Sequence, residues 1–220
     1  LAMFVLILFW RMPKNGDKNH NIDFVPTLRR IFAMPHYREG VIAQFFYVGV
    51  QIMCWTFIIQ YGTRVLMADG MAEQAAEVTS QQYNILAMII FCCSRFICTF
   101  LLRYVNTGRL LTVLAIVGGL LVVGVIGLQN IYGLYCLVGV SACMSLMFPT
   151  IYGIALTGLG DDAKFGAAGL IMAILGGSVL PPFQAAIIDQ GELLGMPAVN
   201  VSFILPFVCF VVIAIYGHRT

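Results

Sequence analysis

The chain has 220 residues, of which 60% are hydrophobic and 10% are charged, and its formal net charge is +2 at pH 7. Soluble domains carry about 25% charged residues, so this composition excludes an ordinary water-facing surface and predicts a chain that lies mainly in lipid. The small and scattered positive charge argues against a nucleic-acid-binding protein.

The first apolar segment, Leu1–Trp10, is too short to cross a bilayer. As a helix it would extend about 15 Å, half of the hydrocarbon core, and it lacks the charged start of a signal peptide. We therefore expect it to be the end of a spanning helix that starts before Leu1.

A long, polar and basic connection follows, Arg11–Gly40. Within it, four apolar residues recur at helical spacing beside two arginines. This pattern fits a short helix on the membrane surface and a flexible linker equally well. The four residues are Phe24, Leu28, Ile31 and Phe32.

Six long apolar stretches make up the rest of the chain, each close to the roughly 20 residues that a helix needs to cross a bilayer. Backbone groups in lipid must be bonded within the segment, and the alternating polarity of barrel strands is missing, so all six are predicted to be helices. They are Val41–Tyr61, Tyr83–Leu102, Leu110–Leu128, Gly133–Leu156, Phe165–Ile188 and Val199–Gly217.

Lysine and arginine are distributed unevenly between the two ends of these predicted spans. Cytoplasmic connections carry the excess of positive residues, so the connection 11–40 and the C-terminus are predicted to be cytoplasmic. The residues on that side are Arg11, Lys14, Lys18, Arg29, Arg30, Arg38, Arg103, Arg109, Lys164 and Arg219. Arg64 is the residue on the other side, and Arg95 falls within the second span.

Four spans carry polar or aromatic side chains on one helical face. These are Gln44, Tyr47, Gln51 and Trp55 in the first span; Asn84, Met88, Phe91 and Arg95 in the second; Ser141, Ser145, Phe148 and Tyr152 in the fourth; and Gln184 in the fifth. Any single stripe fits helix–helix hydrogen bonding as well as a cavity, but four together favour a shared polar cavity. The third and sixth spans would then be supports exposed to lipid.

Amides beside aromatic rings are suited to a sugar, because amides bond hydroxyls and flat rings stack on the apolar face of a pyranose. A phosphate site would need several cations or a glycine-rich loop. The histidines, His20, His36 and His218, lie outside the spans, and no metal or cofactor is predicted. The paired acids, Ser–His pairs or metals of a membrane enzyme are missing from the spans, so we do not expect an enzyme.

Two features interrupt the apolar spans, namely glycine and proline residues and the arginine Arg95. Gly176, Gly177, Pro181 and Pro182 would either break the fifth span or allow close helix packing, and Pro149 raises the same alternatives in the fourth. Arg95 lies about 10 Å from the predicted cytoplasmic helix end. It either snorkels to that end or bonds a backbone group or a residue outside this chain, since no acid lies at its depth.

The matching stretches AQFFYVGVQIMCWTFIIQY (43–61), SRFICTFLLRYV (94–105), CMSLMFPTIYGI (143–154) and LGDDAKFGAAGLIMAILGGSVLPPFQAAIID (159–189) resemble the L-fucose–proton symporter family of the major facilitator superfamily. The resemblance implies an all-α integral membrane fold of twelve helices in two halves. Residues 1–10 would end the sixth helix, 11–40 would join the halves, and 41–217 would form the six-helix C-terminal half.

The resemblance further implies proton-coupled uptake of a monosaccharide by alternating access across the bacterial inner membrane. Phe91 and Phe148 match aromatic positions that contact the sugar, and Arg95, Arg103 and Arg109 match residues that close the cytoplasmic gate. The coupling carboxylates would lie in the N-terminal half, the partner of this one. With the polar stripes, the predicted substrate-binding set is Gln44, Tyr47, Gln51, Trp55, Asn84, Phe91, Phe148, Tyr152 and Gln184. A sensor that binds sugar without transporting it is the alternative.

Overall fold

The structure is a computed structural model, and it describes residues 24–101, 104–193 and 195–220. The predicted end of a spanning helix at 1–10, the first part of the connection 11–40, and Arg103 lie outside the described residues.

Helices dominate the described chain. They are α1 Phe24–Ala33, α2 Pro35–Ala68, α3 Glu73–Leu101, α4 Thr107–Gly127, α5 Ile131–Met144, α6 Met147–Leu156, α7 Ala163–Met172, α8 Gly176–Ile188, α9 Ala198–Ser202 and α10 Ile204–Arg219. Short 3-10 turns cover Gly160–Asp162 and Ala173–Leu175, and the two-residue strands β1 Glu192–Leu193 and β2 Met196–Pro197 pair antiparallel.

Six segments of the described residues are long and apolar enough to cross a membrane, which confirms the six predicted spans. In order they are Pro35–Ala68, Glu73–Phe100, Thr107–Gly127, Ile131–Leu156, Ala163–Ile188 and Ala198–Arg219. The first is longer than predicted, with 34 residues. A helix of that length exceeds a hydrocarbon core of about 30 Å, so its ends extend beyond the membrane.

Local sequence signals fix where several spans begin. Pro35 occupies the first turn of α2, where its missing N–H costs no helical bond. Asn106 and Asn130 cap α4 and α5, because their side-chain oxygens accept from the backbone N–H groups of Gly108 and Tyr132.

Successive spans run in opposite directions, so the bundle has two distinct ends. At the end where the first span begins, Arg219 contacts Glu39 at 2.7 Å and His36 bonds the carbonyl oxygen of Ile154. We call this the basic end, because Arg29, Arg30, Arg38, Arg109, Lys164 and Arg219 belong to the segments that meet there. At the opposite end, Asn200 donates to the carbonyl oxygen of Val125 at 3.0 Å.

The short helix α1 confirms the helical pattern predicted in the connection, and the flexible-linker alternative is wrong for these residues. It packs on the basic end of the bundle: Ile31 is 1% exposed and lies in a cluster with Tyr37 and Leu170. Arg30 Nε donates to Asp162 Oδ2 at 2.9 Å. The helix is therefore held to the bundle itself, in addition to any contact with lipid.

Burial differs sharply among the spans. We compare the buried share of an 18-residue apolar segment in each span. It is 56%, 61% and 56% in the first, fourth and sixth spans, against 39% in the third, 11% in the second and 22% in the fifth. The most open surfaces of this bundle thus belong to the second and fifth spans, two of the four that carry polar stripes. The third and sixth spans pack closely on each other through Gly118 and Phe210.

Candidate functional site

The fourth span is interrupted in its middle, where α5 ends at Met144 and α6 begins at Met147. Pro149 explains the interruption. It has no N–H to donate to the carbonyl of Ser145, four residues earlier, and its ring crowds that carbonyl. The carbonyl of Ser145 therefore lacks its usual helical partner at this depth.

Side chains from the first and second spans bond carbonyls at the interruption. Tyr47 donates its hydroxyl to the carbonyl oxygen of Met144 at 2.9 Å. Because a carbonyl left unpaired away from water is costly, this bond stabilises the interruption. Ser94 Oγ donates at 3.0 Å to the carbonyl oxygen of Ala142, which also accepts from the backbone N–H and the hydroxyl of Ser145. Ser94 was not among the residues that the sequence indicated, since a lone serine in a span carries no pattern.

Arg95 takes up a third carbonyl of the interruption. Its Nε donates to the carbonyl oxygen of Ser145 at 3.2 Å, and its Cζ lies 5.2 Å from the centre of the Phe91 ring. The predicted backbone partner is thus confirmed, and the cation also faces an aromatic ring. Arg95 remains exposed on the open face of the second span, so its contacts place a fixed positive charge beside the aromatic residues described next.

Two groups of aromatic rings lie near the interruption. Trp55 meets Phe91 edge-on, with ring centres 5.0 Å apart. Phe148 contacts Tyr47 edge-on at 6.1 Å and stacks on Tyr152 at 6.3 Å with an interplanar angle of 11°. We call Trp55, Phe91, Arg95, Phe148 and Tyr152 the aromatic wall. Its four rings are half-buried, which leaves part of each surface available to a ligand.

Two amides border the aromatic wall. Gln51 is half-buried and lies one helical turn before Trp55. Asn84 is half-buried, two turns before Phe91, and its Oδ1 has no hydrogen-bond partner among the described residues. The rings and amides together offer stacking surfaces and groups that bond hydroxyls. Trp55 is held in place by a 3.3 Å hydrogen bond from its Nε1 to Ser141 Oγ.

Three predicted contact residues are enclosed within the bundle instead. Gln44, Tyr47 and Gln184 are each 0% exposed, and the six described spans alone are enough to bury them. Gln184 Nε2 donates to Ser202 Oγ at 3.1 Å and so joins the fifth and sixth spans. The arrangement does not support a direct contact between these three side chains and a ligand. Their positions fit support of the residues around them.

The fifth span is interrupted next to the glycine pair and not at the proline pair. The 3-10 turn Ala173–Leu175 directly precedes Gly176, whereas Pro181 and Pro182 lie inside the helix α8. Of the two alternatives, a break therefore does not occur at the prolines; membrane helices tolerate proline where neighbouring groups take up the freed backbone. Gly176 follows the turn and packs directly against the backbone of Phe45, as the close-packing alternative predicted.

The described part of the chain contains no group of three His, Cys, Asp or Glu side chains arranged to hold an ion. The site is built from rings, amides, hydroxyls and one arginine. Such groups bind neutral polar molecules with apolar faces.

No family model matches the chain. It is 52% identical to the L-fucose-proton symporter of Haemophilus influenzae, over 100% of this chain and 50% of that protein. It is 29% identical to the glucose/galactose transporter of Brucella abortus, over 83% of this chain and 42% of that protein. Its structure matches the outward conformation of the major facilitator superfamily transporter FucP with a TM-score of 0.82 and 28% identity, over 99% of this chain and 51% of that one. The chain spans about half the length of the curated relatives that it matches.

Proposed function

We propose that this chain, which belongs to the L-fucose–proton symporter family of the major facilitator superfamily and corresponds to its C-terminal half, supplies one wall of a sugar-binding cavity. In the whole transporter, a second half would supply the opposite wall. The two halves would rock about a central monosaccharide and expose it to one side of the membrane at a time.

The observation that carries this proposal is the aromatic wall at the interruption of the fourth span. Trp55, Phe91, Phe148 and Tyr152 would stack on the apolar face of a pyranose, and Gln51 and Asn84 would bond its hydroxyls. Among the enclosed residues, Tyr47 would hold this wall in position, because it contacts both the Met144 carbonyl and the Phe148 ring.

The second half would cover the open faces of the second and fifth spans. Only 11% and 22% of their apolar segments are buried within the described bundle. The aromatic wall includes residues of the second span. Large exposed apolar surfaces mark interaction sites. A partner half seated there would enclose the wall in a cavity while leaving the third and sixth spans toward lipid.

Proton coupling would reside mainly in that other half. The acidic side chains in the described spans lie near span ends, at Glu39, Glu73 and Glu77, and so are poorly placed to exchange a proton beside a sugar in the membrane centre. The H. influenzae relative is named as a proton symporter. We infer the same coupling for the full-length protein that contains this chain.

The basic end would face the cytoplasm, following the distribution of lysine and arginine. Arg109, exposed in the first turn of α4, would contribute to a cytoplasmic gate together with Arg103. The contacts of Arg95 favour a position in the sugar site itself. There its guanidinium would orient Phe91 and approach the substrate.

Uptake of labelled L-fucose by the full-length protein in proteoliposomes tests the proposal. We expect accumulation when the outside is more acidic than the inside, and loss of that accumulation when a protonophore collapses the gradient. Uptake that ignores the gradient would rule out proton coupling. Saturable binding without any uptake would favour the alternative, a membrane sensor that binds sugar.

Competition with unlabelled sugars would identify the substrate. The relatives of this chain include a named glucose/galactose transporter as well as a fucose symporter, so D-galactose and D-glucose are the informative competitors. L-Fucose as the strongest competitor would identify a fucose symporter. Stronger inhibition by D-galactose or D-glucose would identify a glucose or galactose transporter instead.

A further inference from the structure

A second concave surface lies away from the aromatic wall, between the third span and α10. Its volume is about 500 Å³, and we call it the lateral groove. None of the aromatic-wall residues lines it. Its lining includes Thr112, Ile116, Gly119, Leu120, His218 and Arg219.

Two adjacent glycines with different surroundings shape the lateral groove. Gly118 packs tightly on Phe210, where an added Cβ would lie only 2.7 Å from the ring. Gly119 is looser: an added Cβ would lie 3.6 Å from Phe210 and 3.8 Å from Phe207. Gly118 thus draws the two helices together, and the missing side chain at Gly119 leaves the space beside them open.

The walls of the lateral groove are apolar and open to the surroundings. Ile116, Leu120 and Ile215 are 51%, 66% and 53% exposed. Both helices cross the membrane, so these side chains face hydrocarbon. An apolar groove that runs along a span offers room for an acyl chain.

The polar members of the lining cluster at one end of the groove. Thr112, His218 and Arg219 lie toward the basic end, and Arg109 precedes Thr112 by one helical turn on the same face of α4. Arg219 also pairs with Glu39 at 2.7 Å, so this end of the groove carries two arginines, Arg109 and Arg219, and one carboxylate. Basic pockets between spans at such a level bind the headgroups of anionic lipids.

We propose that the lateral groove binds one anionic phospholipid, with an acyl chain along Ile116 and Leu120 and the headgroup phosphate between Arg109 and Arg219. Arginine suits the phosphate because its N–H groups form charge-assisted, bidentate bonds. The inference does not depend on sugar transport, and its readout, bound lipid, is separate from uptake.

Native mass spectrometry of the full-length protein, titrated in detergent with phosphatidylglycerol or phosphatidylethanolamine, tests the proposal. We expect one phosphatidylglycerol to bind at least about fivefold more tightly than phosphatidylethanolamine, a difference of roughly 1 kcal/mol, which a single arginine near the headgroup would supply. Equal binding of the two lipids would overturn the proposal. A second copy of the protein seated in the groove, seen as a dimer without bound lipid, would also overturn it.

Matched variants localise the site. Replacing both Arg109 and Arg219 with glutamine should abolish the preference for phosphatidylglycerol. Arg30→Gln is the control, because Arg30 is likewise an exposed arginine paired with a carboxylate, at Asp162, but lies outside the groove. An equal loss of preference in Arg30→Gln would mean that general charge, and not this groove, selects the lipid.

A third variant tests the acyl-chain position without changing charge. Gly119→Leu should fill the groove and lower the affinity for both lipids by at least about tenfold. Glu39→Gln removes the carboxylate that pairs with Arg219, so the preference for phosphatidylglycerol should stay the same or increase. Both arginine substitutions are at exposed positions, so they keep the test valid even if Gly119→Leu does not fold. Full binding by a folded Gly119→Leu protein would contradict the acyl-chain assignment.

Discussion

The fourth and fifth spans are both interrupted, but the two interruptions are held in different ways. In the fourth, side chains of neighbouring spans bond carbonyls at the interruption: Tyr47 bonds that of Met144, and Arg95 bonds that of Ser145, which Pro149 leaves without its helical partner. In the fifth, the 3-10 turn is followed by Gly176, whose Cα packs against the backbone of Phe45. The first interruption depends on hydrogen bonds and the second on the absence of a side chain. The difference indicates that the polar interruption forms the binding surface and the steric one fixes the packing.

The steric interruption should be the more sensitive to substitution. In Gly176→Ala the new Cβ would overlap the carbonyl oxygen of Phe45, a backbone atom that cannot rotate away. We expect a loss of about 3 kcal/mol, the upper part of the range for overpacking, seen as a lower melting temperature of the full-length protein in detergent. Gly153→Ala is the control, because a Cβ there meets nothing within 4 Å. An equally stable Gly176→Ala protein would show that the two helices are not in direct contact.

The interruption of the fourth span should become less stable when Arg95 is replaced. Arg95→Met leaves the Ser145 carbonyl unpaired, which should cost about 2 kcal/mol of stability, whereas Arg64→Met, at an exposed position at the opposite end of the bundle, should change little. Pro149→Ala restores an N–H that can bond Ser145. The double variant should therefore be less destabilised than the sum of the two single changes. Strictly additive melting data would refute the link between Pro149 and Arg95.

A smaller effect is expected from the enclosed tyrosine. Tyr47→Phe removes the hydroxyl that donates to Met144 but keeps the ring against Phe148. We expect a loss of about 1 kcal/mol in stability and a sugar affinity within about threefold of the original. Tyr132→Phe, at a largely exposed tyrosine, serves as the comparison. A collapse of sugar binding in Tyr47→Phe, without loss of stability, would mean that this hydroxyl contacts the substrate.

The number and position of the spans could be predicted because a helix that crosses lipid must be long and apolar, and six stretches of the sequence meet both conditions. A backbone partner for Arg95 was one of the alternatives that the sequence left open, because no acid lies at its depth. The spans depend only on residues close together along the chain, whereas the bond from Arg95 to Ser145 joins two different spans.

Which polar residues reach the site could not be predicted in the same way. Gln44 and Gln51 lie two turns apart on one face of the first span, yet Gln44 is 0% exposed and Gln51 is half-buried. One turn before Gln44, Gly40 allows Ala155 and Tyr216 to approach closely, so the helices converge near the basic end. Such convergence arises from contacts between distant segments, which helical spacing does not encode.

The central claim is that the aromatic wall binds the sugar, and calorimetric measurement of L-fucose binding to purified full-length variants tests it most directly. Phe91→Ala and Phe148→Ala should each weaken binding at least about tenfold, equivalent to about 1.4 kcal/mol. Phe207→Ala, on the sixth span against Gly119 and away from the wall, should stay within about twofold. Unchanged affinity in Phe91→Ala and Phe148→Ala, with both proteins folded, would contradict the account.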